Sequence, residues 1–594
     1  MQPIVKETQK ASELHVLQRL LNKGQFRQLH KMATRAQRRF PEEAVIQGFL
    51  GAASTGLGRL RQAIVLYKRG IAMDASISML HRDLGNLYLA VGQNALAATC
   101  FVTAQKLGPS DADLTFRLGT ALMRSNRLRE ALTQLGAALA RDPKNPIYAG
   151  TLAEAFELAG LFEEAIKSYE IALKLSQNNQ SFQLALGRCC YNSGQAEKAL
   201  EIAEQGLKSD PASEQFYGLK AAALGALGRI DQANNSHRDA IVLGKPQGNH
   251  FYNFALRHDM CTEPEISERI TGALDLPQSQ RDAKYLHFAM AKLCEDNANY
   301  DRAYAHYCEG NALQKQYLAY DVGRDIALFE KLKTAFAVPT PNLAQARRAA
   351  GPRPIFIVGM PRSGTTLAEA ILARHPDVMA CGETSALLQS VVTCLPNQEA
   401  PDVDQAAALR QDYLRRLPPC ARQTAFFTDK MPTNFRLIGH ILMAIPDACV
   451  IHMRRDANAV CWSNFRTLYS SMGNGFSYDP EDLVSYYKAY QQLMAFWQTR
   501  FPSRIYSLDY EQLVRGPENT IRNLLVQVGL SWHAACLSPE KGNQPVTTAS
   551  QSQVRKKIYQ GSSKAWLQYK SLAGEWMDKL NEGENASKTD HVEL

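Results

Sequence analysis

The sequence predicts a multidomain chain: an all-α superhelix of repeated helix pairs, followed by an α/β domain built on a parallel sheet. Three observations carry this prediction. The chain has 594 residues, more than one hydrophobic core organises. A small or turn-favouring residue followed five positions later by alanine recurs every 34 residues through the first 240. Near residue 355 the pattern changes to a short apolar run, a glycine-containing loop and a helical stretch.

The recurring pairs are Gly58/Ala63, Gly92/Ala97, Asn126/Ala131, Gly160/Ala165, Gly194/Ala199 and Gly228/Ala233, and Gly24 followed by Leu29 extends the register backwards. Gly51, Gly85, Gly119, Ala153, Gly187 and Ala221 keep one small position in phase, while Tyr67, Phe101, Leu135 and Tyr169 keep one large apolar position. Pro41, Pro109, Pro143 and Pro211 fall where one unit ends and the next begins. Each unit is therefore expected to be two antiparallel amphipathic helices. A left-handed residue makes the turn, and small residues let the helices approach. Residues 297–303, inside 284–315, look like one more pair.

This pattern resembles the tetratricopeptide repeat. The resemblance implies that residues 1–245 stack into a superhelix whose concave face captures a protein or peptide. A spacer or a homodimer surface stays open as the other use. Residues 246–350 are expected to form a helical connector ending in a proline- and arginine-rich linker, and residues 351–594 a second domain.

The second domain opens with a buried-strand pattern at 355–358, then Gly359-Met360-Pro361-Arg362-Ser363-Gly364-Thr365-Thr366, then helix from Leu367. Strand, loop and helix in this order converge backbone N–H groups and a helix N-terminus on an anion. The two glycines have the spacing of a nucleotide triphosphatase P-loop, but Thr365 stands where that motif needs lysine, and Arg362 sits inside the loop. The exchange argues against a kinase or ATPase. It resembles the 5′-phosphosulfate loop of sulfotransferases, above all tyrosylprotein sulfotransferases and their bacterial repeat-containing relatives. The resemblance implies a P-loop-like α/β fold and binding of 3′-phosphoadenosine-5′-phosphosulfate (PAPS) through Arg362, Ser363, Gly364, Thr365 and Thr366.

Further segments follow in the family's order over about 354–580. A strand pattern at 447–453 runs into Arg454-Arg455-Asp456, and Ser463 lies about two helical turns on. Strand ends are where open α/β sheets hold ligands. The resemblance implies that Arg455 and Ser463 hold the 3′-phosphate. Sulfuryl transfer needs a base for the acceptor's proton and a cation for the leaving charge. Glu383, in Cys381-Gly382-Glu383-Thr384, matches the family's base. Lys430, after the strand pattern 426–428, matches its lysine, with Asp429 as a candidate to orient it, and Arg362 is a third catalytic candidate. By the same resemblance Tyr510, Ser550 and Lys564 contact the nucleotide.

Composition excludes other classes. A net charge of +9 suits an anionic ligand but, without a clustered basic face, not nucleic acid. The 12 cysteines form no C-x-x-C pair and no zinc spacing, which fits thiols in a reducing compartment. No signal peptide and no membrane span is expected, so a cytoplasmic location is expected, and the chemistry calls for no metal. Two alternatives stay open: an inactive repeat scaffold, or transfer to a small molecule or glycan.

Overall fold

The computed structural model describes residues 2–243, 248–276, 279–338, 351–422, 424–469, 472–542 and 557–581. The expected linker after 337 lies largely outside them. The chain divides into two compact units, Met1–Cys189 and Cys190–Leu594.

The first unit is a run of antiparallel helix pairs, among them Ala44–Gly56 with Leu60–Met73, Ser78–Ala90 with Asn94–Leu107, and Ala112–Arg124 with Leu128–Arg141. The turns sit on the expected residues: Gly24, Gly58, Gly92, Asn126 and Gly160 all have φ between +61° and +77°. Ala63, Ala97, Ala131 and Ala165 are 0% exposed, because the second helix of each pair lies against the first at these points. The small and large positions face one another as read from the sequence. A Cβ added to Gly51 would lie 2.9 Å from the Tyr67 ring, to Gly85 2.6 Å from Phe101, and to Gly119 2.7 Å from Leu135.

The second unit begins with the same pattern, Ala196–Ser209, Glu214–Ala226 and Ile230–Leu243. The pair anticipated around 297–303 is present as Gln280–Asp296 and Tyr300–Leu318, with Ala298 at φ +56° making the turn and Ala303 fully buried. A five-stranded sheet follows: β1 (Arg353–Gly359), β2 (Val378–Ala380), β3 (Phe426–Asp429), β4 (Cys449–Arg454) and β5 (Ile505–Asp509). Its order is β2-β3-β1-β4-β5 and every pairing is parallel.

Alternate residues of β1 serve two cores, as a strand buried on both faces requires. Ile355 and Ile357 pack with Ile451, Leu508 and the helices Thr365–Leu372 and Pro517–Val528. Phe356 and Val358 belong to a larger core with Trp462 and Trp497, which also takes in Phe288, Tyr307, Phe329 and Phe336 from the helices before the sheet. That second core crosses residue 350, so helices on both sides of the linker cover one face of the sheet.

Candidate active site

The loop from β1 into the helix Thr365–Leu372 is shaped by three positive φ angles, Gly359 (+151°), Arg362 (+68°) and Gly364 (+106°). A Cβ at 359 would lie 2.6 Å from the Met453 carbonyl oxygen and 3.1 Å from Ser363 Oγ. One at 364 would lie 2.6 Å from the Tyr510 ring. The loop therefore packs against the ends of β4 and β5 with no room for a side chain at either glycine. Arg362 holds a conformation that residues with a Cβ rarely adopt, the kind of local strain that collects at ligand sites. Its Nε donates to Ser463 Oγ at 3.1 Å. Ser363 is 1% exposed, and its Oγ has no hydrogen-bond partner among the described residues. Such a buried hydroxyl, two residues before the helix start, is an unmet donor at an anion-binding position.

Arg455 stands one residue beyond β4. Its Nη1 donates to the Arg362 carbonyl at 2.8 Å and its Nε to Ser563 Oγ at 3.2 Å. The Tyr510 ring lies 4.7 Å from its guanidinium, and the Tyr510 hydroxyl shares a 2.7 Å hydrogen bond with Ser562. Ser563 Oγ in turn donates to Glu511 Oε1 at 2.6 Å. Burial pushes both the Arg362 and the Arg455 guanidinium below the ordinary arginine value, so an anion beside them would favour their charged forms. A cavity of about 210 Å³ opens here, and Arg362, Thr366, Arg455, Ser463, Arg466 and Tyr510 line it, with Gly364. Thr365 is buried at the first turn of the helix.

A second cluster lies at the end of the neighbouring strand. Lys430, directly after β3, is 0% exposed, and its Nζ donates to Glu383 Oε1 at 2.6 Å. The turn carrying Glu383 is fixed from both sides. Gly382 has φ +68° and its carbonyl accepts from Lys430 N at 3.0 Å, while its N–H donates to Glu369 Oε1 at 3.0 Å. Glu369, on the cradle helix, also accepts from Thr428 Oγ1 at 2.7 Å. Asp429 is fully buried and accepts from Tyr413 OH (3.0 Å), Thr384 Oγ1 (3.2 Å) and Asn434 Nδ2 (3.4 Å). Burial pushes its carboxyl up to about 7, and burial likewise raises that of Glu369.

Arg362, Gly364, Thr366, Arg455, Ser463 and Tyr510 thus meet at one cavity, whereas Glu383 and Lys430 pair one strand away and do not line it. Lys564 is exposed and is not among the lining residues; Ser562, Lys557 and Trp566 are. Ser550 lies outside the described residues. Sequence reading missed Arg466, Glu369 and Tyr413. Glu369 left a signal, the single charge on the helix Thr365–Leu372. Among the described residues no group of three or more His, Cys, Asp or Glu side chains has the arrangement to hold a metal ion. Among the same residues no helix is long and apolar enough to cross a membrane.

Residues 354–534 match the sulfotransferase family. The tetratricopeptide repeat matches 82–146, 116–180 and 158–223. An uncharacterized protein of Aquifex aeolicus is 30% identical over 336 residues, 54% of this chain and 44% of the relative. Protein-tyrosine sulfotransferase 2 of Gallus gallus is 26% identical over 200 residues, 32% of this chain and 54% of that protein. The protein-tyrosine sulfotransferase of Drosophila melanogaster is 28% identical over 210 residues, 32% of this chain and 40% of that protein. The chain spans about half the length of the curated relatives it matches. Among solved structures, YrrB, a TPR protein with an unusual peptide-binding site, aligns with 31% of this chain and 95% of its own at 20% identity, with a TM-score of 0.29.

Proposed function

From a chain whose residues 354–534 match the sulfotransferase family, behind segments that match tetratricopeptide repeats, we propose a PAPS-dependent sulfotransferase acting on an acceptor hydroxyl of a protein or peptide. The observation that carries the reading is the buried Ser363 hydroxyl without a partner among the described residues, beside a cavity into which Arg362 and Arg455 converge. A nucleotide with two separate anionic groups needs such a set: donors at a helix N-terminus for one group, and a separate cation for the other. The loop residues Arg362, Ser363, Gly364, Thr365 and Thr366 would hold the phosphosulfate end. Arg455 and Ser463 would hold the 3′-phosphate, with Tyr510 as the platform under Arg455. Ser550 and Lys564 keep a nucleotide-closing role on family resemblance alone.

When bound, PAPS supplies an activated sulfuryl group. The chain's own residues do the rest. Glu383 accepts the acceptor's proton, and Lys430, desolvated and next to it, supplies positive charge where negative charge develops. Arg362 adds a second positive charge from the loop. Glu369 and Asp429 fix the turn and the strand end that carry this pair. The repeats, residues 1–245, recruit the acceptor polypeptide or a second copy of the chain. The connector 246–350 joins them to the transferase segment 351–594. The cysteines are scattered with no C-x-x-C spacing, which supports a cytoplasmic, reducing location.

Calorimetric titration of the full chain with 3′,5′-bisphosphoadenosine tests the nucleotide part. One-to-one binding is expected, weakened about tenfold or more in Arg455→Ala. Binding of ATP with Mg²⁺ in preference to the bisphosphate would sink the reading. Transfer of labelled sulfate from PAPS to a tyrosine- and serine-containing peptide library, against a small-phenol panel, tests the acceptor. Label confined to the phenols would remove the peptide assignment.

A further inference from the structure

Arg466 reaches the cavity wall from the residue after the helix Ala457–Phe465, the helix that also carries Ser463. Its partner comes from far away in sequence. Nη1 donates to Glu295 Oε1 at 2.8 Å, across 171 residues. Glu295 lies in the last turn of Gln280–Asp296, the first helix of the repeat-like pair. The same Oε1 accepts from Tyr569 OH at 3.0 Å, and Oε2 accepts from Tyr307 OH at 3.5 Å. Glu295 has only 15% of its side chain exposed, so its charge is directed at these partners rather than at water.

The surroundings bind the two helices tightly at this point. Trp462, which lines the cavity, has the Tyr569 ring 4.1 Å away and the Tyr307 ring edge-on at 6.0 Å. Asn311, on the second helix of the pair, donates to the Phe465 carbonyl at 2.9 Å. A guanidinium on a long flexible stem loses much rotamer freedom when it grips an anion. A carboxylate that already holds one end of the fork removes part of that loss.

We infer that Glu295 is a positioning residue for the nucleotide site: acting through Arg466, it makes the repeat-like helix pair a working part of that site. The inference rests on the reading of the cavity as a nucleotide site. It places a necessary side chain outside the 354–534 segment that matches the sulfotransferase family. One residue of the cavity wall is thereby held from the far side of the linker.

The test is calorimetric titration of full-length protein with 3′,5′-bisphosphoadenosine, for wild type, Glu295→Ala, Glu295→Gln, Arg466→Ala and the double variant Glu295→Ala/Arg466→Ala. Glu295→Ala and Arg466→Ala are each expected to weaken binding about tenfold, and the double variant no more than Arg466→Ala alone. Glu295→Gln keeps an acceptor oxygen and is expected to stay within about threefold of wild type. Thermal unfolding of each variant separates folding from binding, because a purely structural role would lower Tm and leave Kd unchanged. Unchanged Kd in every folded Glu295 variant, beside a tenfold loss in Arg466→Ala, would overturn the inference. Additive losses in the double variant would overturn it too. If Glu295→Ala does not fold, Glu295→Asp replaces it in the cycle, with the same tenfold loss expected because the shorter carboxylate falls short of Nη1. No binding by wild type would overturn the nucleotide reading and this inference together.

Discussion

At Gly58 and Gly92 the backbone sits at φ +75° and +77°, and a side chain there would meet nothing within 4 Å. At Gly364, φ +106°, a side chain would lie 2.6 Å from the Tyr510 ring and 3.2 Å from Met453 Cε. The repeat turns need glycine for its torsion alone, and Asn126 fills the same role at φ +61°. The cradle needs glycine for torsion and for space, because two strand ends and a ring that supports a cation close on it. One backbone conformation thus carries two requirements, and only the second ties a residue to the cavity.

The contrast makes Gly364→Ala the most damaging change. Strain and collision together should cost roughly 2–4 kcal/mol, and displacement of Tyr510 should raise the Kd for 3′,5′-bisphosphoadenosine by about a hundredfold. Urea unfolding and calorimetry read the two effects. Binding within threefold of wild type would mean that the loop tolerates a Cβ, and the contrast would collapse.

A second difference concerns charge. Asp429 sits at the site with no exposure, and its carboxyl is pushed up to about 7 by burial. Its folded value is above the unfolded one, so the neutral form is the one the fold favours. The associated stability is fully present below about pH 4, falls as pH rises through about 7, and is gone above. Wild type should therefore lose on the order of 3 kcal/mol more than Asp429→Asn between pH 4.5 and pH 8.5, measured by urea unfolding at each pH. Parallel pH profiles for the two proteins would show that this carboxyl is ionised in the folded state throughout.

The repeat turns should give the smallest effects, with Gly58→Ala the larger of two. It should cost about 1 kcal/mol in the unfolding of the repeats, with nucleotide Kd unchanged. Asn126→Gly should shift stability by only a few tenths of a kcal/mol. A nucleotide-affinity change in either would mean that repeat turns influence the cavity after all.

What the sequence disclosed divides along the same line. The repeats are legible because each determinant lies within a few residues of its partner: turn glycine, buried alanine five on, small against large in the paired helix. The cradle is legible for the same reason, as strand, loop and helix are contiguous. The order β2-β3-β1-β4-β5 is not, since it depends on which crossovers cover which face. Nor is the pairing of Arg466 with Glu295 or of Arg455 with Ser563, because no periodicity links residues so far apart. Which residues of the segment after Gly561 face the cavity is not legible either. The 3-10 helix Ser562–Tyr569 presents Ser562, Ala565 and Trp566 to the cavity, and Lys564 is exposed.

The core shared by β1 and the helices before it also bears on how the chain is made. Phe336 packs edge-on to Trp497 at 5.2 Å, and its carbonyl accepts from Arg500 Nε at 2.8 Å, across 164 residues. Protein synthesis runs at roughly 5–20 residues per second, so those helices leave the ribosome on the order of ten to thirty seconds before their cover exists. During that interval Phe329 and Phe336, both buried in the finished fold, lack Phe435, Tyr486 and Trp497, the rings they pack against. A nascent chain halted anywhere in that stretch would present these rings to chaperones, and the full chain would not.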